Sequence, residues 1–222
     1  QQRLFLQHAW HAIENAAILP SELAGSQCGV FVASGNSGYS DLVKERNAYS
    51  LIGSSGSILA ARIAYILDLH GPCISVDTAC SSSLVAVTQA CNSLLLGEVD
   101  LAIAGGACIL IGPDMHIDTS KVGMLSPEGR CFAFDSRANG FVPGEGIGVV
   151  LLKRLADAER DGDPIRGIIR GWGINQDGKT NGITAPNPQA QSRLIGDIYN
   201  KFSIDPATIS LIEAHGTGTA LG

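Results

Sequence analysis

Two residues in this chain stand where side chains of their type do chemistry. Cys80 closes the segment SVDTAC, directly after a short apolar run and directly before a long one that reads as a helix. The first turn of a helix has N–H groups without intrahelical partners and carries the positive end of the macrodipole. Both favour a thiolate, and a thiol of lowered pKa is the better nucleophile near neutral pH. Thr78, Ser81, Ser82 and Ser83 are small and polar, so they leave room for a substrate and can cap the helix. A buried cysteine at a turn would suit the same position, and spacing alone leaves both readings open. Cys91 falls near the same helix face but among apolar neighbours, where packing accounts for it. A serine nucleophile is disfavoured, because the glycines of a G-x-S-x-G elbow are absent around Ser82.

His215 is the second such residue. It lies in EAHGTGTALG, after a short apolar run and before alternating glycines and threonines. Gly216 and Gly218 allow close approach of a ligand, and Thr217 and Thr219 offer hydroxyls. An imidazole so placed can polarise a carbonyl or move a proton, although a histidine there could also merely finish a strand. His8 and His11 read as surface helix residues, His70 sits beside a helix-ending glycine, and His116 lies in a loop. No HxxxH pair and no CxxC pair occurs, so no metal site is expected.

These residues must be held by a scaffold, and periodicity supplies one. Residues 3–17 and 57–69 carry apolar residues at helical spacing, and Arg62 is the one charge inside the second run until its end. Residues 27–33, 73–77 and 99–104 read as short buried strands, the last stopped by Gly105-Gly106. Between the latter two, residues 81–96 form a helix apolar nearly all round, to be buried on most sides. Strand, helix and strand with short joints make a βαβ unit with a parallel pair. Residues 34–39 read as a turn and 47–53 are ambiguous. Residues 112–145 show little periodicity and read as long ordered loops, which in a compact domain are often functional. Beyond them the pattern predicts strands at 146–153, 165–172 and 209–214, short helix at 155–160, a polar loop at 176–188 and a surface helix at 189–202. The class is α/β with a mixed sheet.

Composition narrows the function. The 222 residues hold 15 Lys plus Arg against 21 Asp plus Glu, a net charge of −6, which disfavours a phosphate-binding surface and hence nucleic acid. Only 16% of residues are charged, which suggests a thick interior, a large interface with another copy or a piece of something bigger. The six scattered cysteines fit free thiols in a reducing, cytoplasmic setting, most of them buried as small hydrophobes. Apolar runs are broken well short of roughly 18 residues, so no membrane span is expected. The opening QQRLFLQHAW has neither initiator Met nor signal-peptide character and reads as the interior of a gene product.

Four segments together resemble the β-ketoacyl synthase (ketosynthase) domains of the thiolase superfamily. They are VDTACSSSLVAV around Cys80, EAHGTGTALG around His215, GMLSPEGRCFAFDSRANGFVPGEG, and the opening QQRLFLQHAW. NQDGKTNGITAPN resembles the bacterial modular type I polyketide synthases, and the FVPGEG spelling those served by a separate acyltransferase. The resemblance implies a thiolase-like layered α-β-α-β-α fold, of which this chain would hold most of the first half and the start of the second. Residues 1–222 would be the central part of one ketosynthase domain, lacking its N-terminal strand region and C-terminal half. It implies Cys80 as the acylated nucleophile and His215 as one of two catalytic histidines, with the second histidine and a lysine beyond Gly222. Thr217 and Thr219 would contact the pantetheine arm, and Asp135, Arg137 and Glu145 would order loops, although a solvated loop serves Arg137 equally well. The implied reaction is decarboxylative Claisen condensation, with substrates carried on the 4′-phosphopantetheine of acyl carrier protein and no cofactor bound directly. A non-condensing gatekeeping domain, or a fatty-acid β-ketoacyl synthase, would share these motifs. Partners would be acyl carrier protein, neighbouring synthase domains and a second copy in a homodimer, paired through the 73–77 strand. Two positions depart from the family pattern: Thr88-Gln89 replaces a common His-Leu, and Cys108 stands where Asn is frequent.

Overall fold

The computed structural model describes residues 1–36 and 38–220. Ser37, within the expected turn at 34–39, and Leu221 and Gly222, the end of the HGTGTALG segment, lie outside the described residues. Along the chain the elements are α1 (Gln2–Asn15), α2 (Pro20–Leu23), β1 (Cys28–Ser34), α3 (Tyr39–Leu42), α4 (Ser50–Ser54), α5 (Ser57–Leu67), β2 (Cys73–Val76), α6 (Ser82–Leu96), β3 (Leu101–Cys108), α7 (Asp114–Lys121), β4 (Gly146–Lys153), α8 (Leu155–Asp161) and α9 (Pro188–Lys201). They divide into two units, residues 1–112 with 145–168, and residues 113–144 with 169–222.

The first unit is a mixed four-stranded sheet in the order β2-β1-β3-β4. β1 pairs in parallel with both β2 and β3, and β3 pairs antiparallel with β4. The βαβ unit read from the sequence is therefore modified: α6 connects two parallel strands, but β1 lies between them. β1 is buried along nearly its whole length, and its two faces feed different clusters. Cys28, Val30 and Val32 meet Phe5, Ala9 and Ile13 of α1 and Leu59, Ile63 and Leu67 of α5. Phe31 and Ala33 meet Ala86, Ala90 and Leu94 of α6. This alternation is the period of two that a strand covered on both faces requires. Burying each of the larger side chains stabilises the unit by about 1.5–3 kcal/mol.

Three expectations are corrected here. The double glycine does not stop β3, which runs through Gly105-Gly106 to Cys108. Its glycines serve close approach instead: a Cβ on Gly105 would collide with the Gly148 carbonyl of β4, and one on Gly106 would lie 3.0 Å from the Ser83 Cβ of α6. Second, α6 is buried on one face only. Leu84, Leu95 and Leu96 stay 73%, 65% and 73% exposed, because the sheet covers a single side of the helix. Third, residues 79–96 are long and apolar enough to cross a membrane by length and composition. Here that stretch packs its Ala86, Ala90 and Leu94 face against the sheet, as a core helix does. The far end of α6 is anchored by Arg154, whose Nη1 donates to the Leu94 carbonyl at 3.1 Å and the Val99 carbonyl at 2.8 Å. A cation at this end also complements the helix dipole.

The second unit has helices and loops but no strand ladder among the described residues. The expected strands at 165–172 and 209–214 do not form. Both have β-branched, apolar sequences, yet a strand exists only with a hydrogen-bonded partner, and neither finds one among the described residues. Leu211 and Ile212 remain 80% and 79% exposed. The end of the first of these segments instead lies along α9: Trp172 stacks on Phe202 with centroids 4.7 Å apart, and Gly171 and Gly173 back onto Ile198. α9 starts with Pro188 at its first turn and the Asn187 side chain accepting from the Ala190 N–H at 3.2 Å. α7 was not legible in the sequence; DMHIDTSK buries no residue, so it leaves no apolar stripe to read.

Candidate active site

Cys80 sits in the first unit on a sharp turn between β2 and α6. Ala79 has φ 56°, a left-handed conformation that costs a residue with a Cβ about 1–2 kcal/mol. Side chains within the turn hold it there. The Ala79 N–H donates to Asp77 Oδ1 at 3.2 Å. The buried Ser82 hydroxyl donates to the Ala79 carbonyl at 2.6 Å and accepts from the Thr78 N–H at 2.7 Å. The Ser81 hydroxyl donates to the Thr78 carbonyl at 3.0 Å. The serines thus lock the turn backwards rather than capping the helix as the sequence suggested: Ser81 occupies the N-cap position, with no side-chain cap bond. Cys80 is left exposed, one residue ahead of that N-cap.

The remaining thiols divide by environment. Cys28 and Cys91 are buried, and the other four cysteines are exposed, so most are not the buried hydrophobes expected. Burial pushes the Cys28 thiol up to about 12 and also raises that of Cys91. Cys73 and Cys108 belong to exposed residues, yet enough protein surrounds each sulfur for desolvation to raise its thiol; Glu145 and Cys80 add to the effect on Cys108. Cys108 ends β3 on the same strand face as Gly106, against which Ser83 packs, so it borders the Cys80 turn. Glu145 accepts the Leu110 N–H at 2.7 Å and thereby ties the exit of β3 to the entry of β4.

A cavity of about 660 Å³ opens elsewhere in this unit, lined by Leu101, Lys153, Arg154 and Asp157 among others. The β3–β4 register pairs Leu101 with Lys153 at one end and Cys108 with Gly146 at the other. The cavity is therefore at the opposite end of the ladder from Cys80.

His215, Thr217 and Thr219 belong to the second unit. The imidazole residue is exposed, and the two threonine hydroxyls lie 3.1 Å apart in a partly buried setting. Gly216 and Gly218 both have left-handed φ, 54° and 68°. The loop is cradled by the 123–144 segment. Cys131 Sγ donates toward the Gly216 and Thr217 carbonyls at 3.4 and 3.2 Å, and the Gly140 N–H donates to the Gly218 carbonyl at 2.9 Å. Phe132, beside Cys131, lies under two guanidinium groups, Arg137 at 4.6 Å and Arg130 at 5.7 Å from the ring centroid. Arg137 is in turn fixed by Asp135, donating from Nε at 3.0 Å and Nη2 at 2.7 Å. Those bonds hold the Asp135 carboxyl down to about 2. Arg137 is thus tied into the loop by an ion pair and a ring contact. Among the described residues, no cluster of three or more His, Cys, Asp or Glu side chains could hold a metal ion.

The chain matches two family models along its length. The model of the β-ketoacyl synthase N-terminal domain matches residues 1–158, and that of the C-terminal domain matches residues 166–222. A phenolphthiocerol/phthiocerol polyketide synthase of Mycobacterium tuberculosis is 50% identical over 100% of this chain, which covers 15% of that protein. Polyketide synthase PksL of Bacillus subtilis is 48% identical over the whole chain, which covers 5% of it. Among solved structures, the ketosynthase from module 6 of the bacillaene synthase of Bacillus subtilis matches with a TM-score of 0.93 and 48% identity, covering 99% of this chain and 38% of that one. The oxazolomycin ketosynthase domain OzmH KS7 of Streptomyces albus matches with a TM-score of 0.92 and 39% identity, covering 100% and 39%.

Proposed function

This chain belongs to the β-ketoacyl synthase family, and on that premise we propose that it contributes the acyl-accepting cysteine and one catalytic histidine of a condensing enzyme. Residues 1–222 are read as the central part of one ketosynthase domain of a modular polyketide synthase. The observation that carries the reading is Cys80: an exposed thiol on a strained strand-to-helix turn, ahead of a helix whose N-terminus no side chain caps.

In the proposed reaction the Cys80 thiolate attacks an acyl thioester carried on the 4′-phosphopantetheine of acyl carrier protein. The tetrahedral intermediate collapses with loss of the carrier thiolate, leaving the acyl group on Cys80. A malonyl-type extender on a carrier then loses carbon dioxide. The electron pair of the broken carbon–carbon bond forms an enolate, whose oxygen His215, with a second histidine of the intact domain, stabilises by donating a hydrogen bond. The enolate carbon attacks the acyl-Cys80 carbonyl, the carbon–sulfur bond breaks, and the thiolate returns as the β-ketoacyl product leaves on the carrier. Thr217 and Thr219, paired beside His215, offer hydroxyls to the pantetheine amides.

Acyl carrier protein and neighbouring synthase domains are the proposed partners, in the cytoplasm. Homodimer formation through β2 is part of the same reading, supported by β2 being an edge strand with exposed Cys73, Ile74 and Ser75. Sedimentation of the intact ketosynthase domain as a monomer at micromolar concentration would remove that element. The central test incubates the intact domain with an acyl thioester and maps the adduct by peptide mass spectrometry. One acyl group on Cys80 is expected; an adduct on Cys73, Cys108 or Cys131 with none on Cys80 refutes the assignment.

A further inference from the structure

We infer that Cys131 is a positioning residue for His215. The inference rests on the proposed role of His215 and extends it to the residue that holds its loop. Residues 209–219 have neither helix nor strand hydrogen bonding, so no ladder fixes the backbone that carries the imidazole. Three successive carbonyls after His215 are held from the 123–144 segment instead. The Cys131 thiol lies 3.4 Å from the Gly216 oxygen and 3.2 Å from the Thr217 oxygen, and the Gly140 N–H is 2.9 Å from the Gly218 oxygen.

The fit around the sulfur is close. A Cβ on Gly218 would approach Cys131 Sγ to 3.1 Å and the Phe132 nitrogen to 2.9 Å. The neighbouring Phe132 ring carries Arg137 and Arg130 at 4.6 and 5.7 Å from its centroid, and Arg137 is tied to Asp135, so the segment that presents Cys131 is braced by its own side chains. A thiol is a weak donor with one proton, here shared between the Gly216 and Thr217 carbonyls, but it is the group through which residue 131 holds the Gly216–Thr217 and Thr217–Gly218 peptide units. Losing it frees the Gly216 and Thr217 carbonyls and lets the imidazole drift. A misplacement near 1 Å can cost about a hundredfold in rate, so a partial drift should cost about tenfold.

The test uses the intact ketosynthase domain and separates its two half-reactions. Cys131→Ala should lower kcat for decarboxylation of a malonyl thioester about tenfold with KM unchanged, while acylation of Cys80 proceeds at the parent rate. Cys131→Ser keeps a donor on a shorter side chain and should restore decarboxylation to within about threefold of the parent. His215→Ala in the same assay must abolish decarboxylation; if it does not, the reading of His215 fails, independently of Cys131. Decarboxylation by Cys131→Ala within twofold of the parent overturns the inference, and so does a serine variant no better than alanine. Loss of Cys80 acylation in both variants also overturns it, since the thiol would then support the whole fold rather than one loop.

Discussion

Substituting Gly106 by alanine tests whether the sheet sets the position of Cys80. The new Cβ would lie 3.0 Å from the Ser83 Cβ and 3.3 Å from the Ala33 Cβ. Relaxed carbon–carbon contacts are about 3.5–4.0 Å, so the first turn of α6 must retreat by about 0.5 Å. Overpacking of this kind costs about 1–3 kcal/mol. The stiffer unfolded chain returns about 0.4–1 kcal/mol, leaving a net loss between about 0 and 2.6 kcal/mol. The same retreat displaces Cys80, three residues before Ser83. If 1 Å of misplacement costs about a hundredfold, half of that costs about tenfold in the rate of acylation. Urea unfolding gives the first quantity, and mass-spectrometric timing of Cys80 acylation by a small acyl thioester gives the second. Gly53→Ala is the control, since nothing lies within 4 Å of a Cβ there. A Gly106→Ala domain that acylates within twofold of the parent would refute the coupling between β3 and the Cys80 turn, whatever its stability.

Gly140→Ala should be more damaging to the second unit. Its φ is 147° and the added Cβ would collide with the Leu125–Ser126 peptide, so we expect loss of decarboxylation with Cys80 acylation retained; equal retention of both would refute it. The Asp135 carboxyl is held down to about 2 by Arg137, against an ordinary 3.8. A depressed folded-state pKa contributes stability above the unfolded value, which is lost as pH falls from about 4 through about 2. NMR titration of the Asp135 carboxyl should therefore show a midpoint near 2 that Arg137→Ala returns toward the ordinary range; a parent midpoint near 4 would contradict the ion pair.

How much of this was legible depended on whether a feature is local. β1, α5 and α6 follow from apolar spacing, and Cys80 followed from its place between two such runs. The double glycine misled because a glycine that ends a strand and one that admits a neighbouring backbone look alike in sequence; only β4 and Ser83 tell them apart. Residues 165–172 and 209–214 carry strand propensity, which says nothing about a partner. The exposed outer face of α6 was hidden for a related reason, since periodicity reports which side chains are apolar and not what covers them. Cys131 lay inside one of the recognised segments, GMLSPEGRCFAFDSRANGFVPGEG, yet nothing in that segment marked what it would hold. It stands alone in a loop, and the carbonyls it holds are 85 and 86 residues away.

The turn that presents Cys80 has a different reach. The side-chain bonds that shape it join Asp77, Thr78, Ala79, Ser81 and Ser82 to one another, all within six consecutive residues. Such a turn is portable: it brings its own geometry wherever a parallel strand feeds a helix. Residues around it can then change, by drift or by engineering, without reshaping the turn itself. The same six residues set between another parallel strand and helix should carry a thiol in the same backbone conformation, and variation is free to fall on what surrounds it.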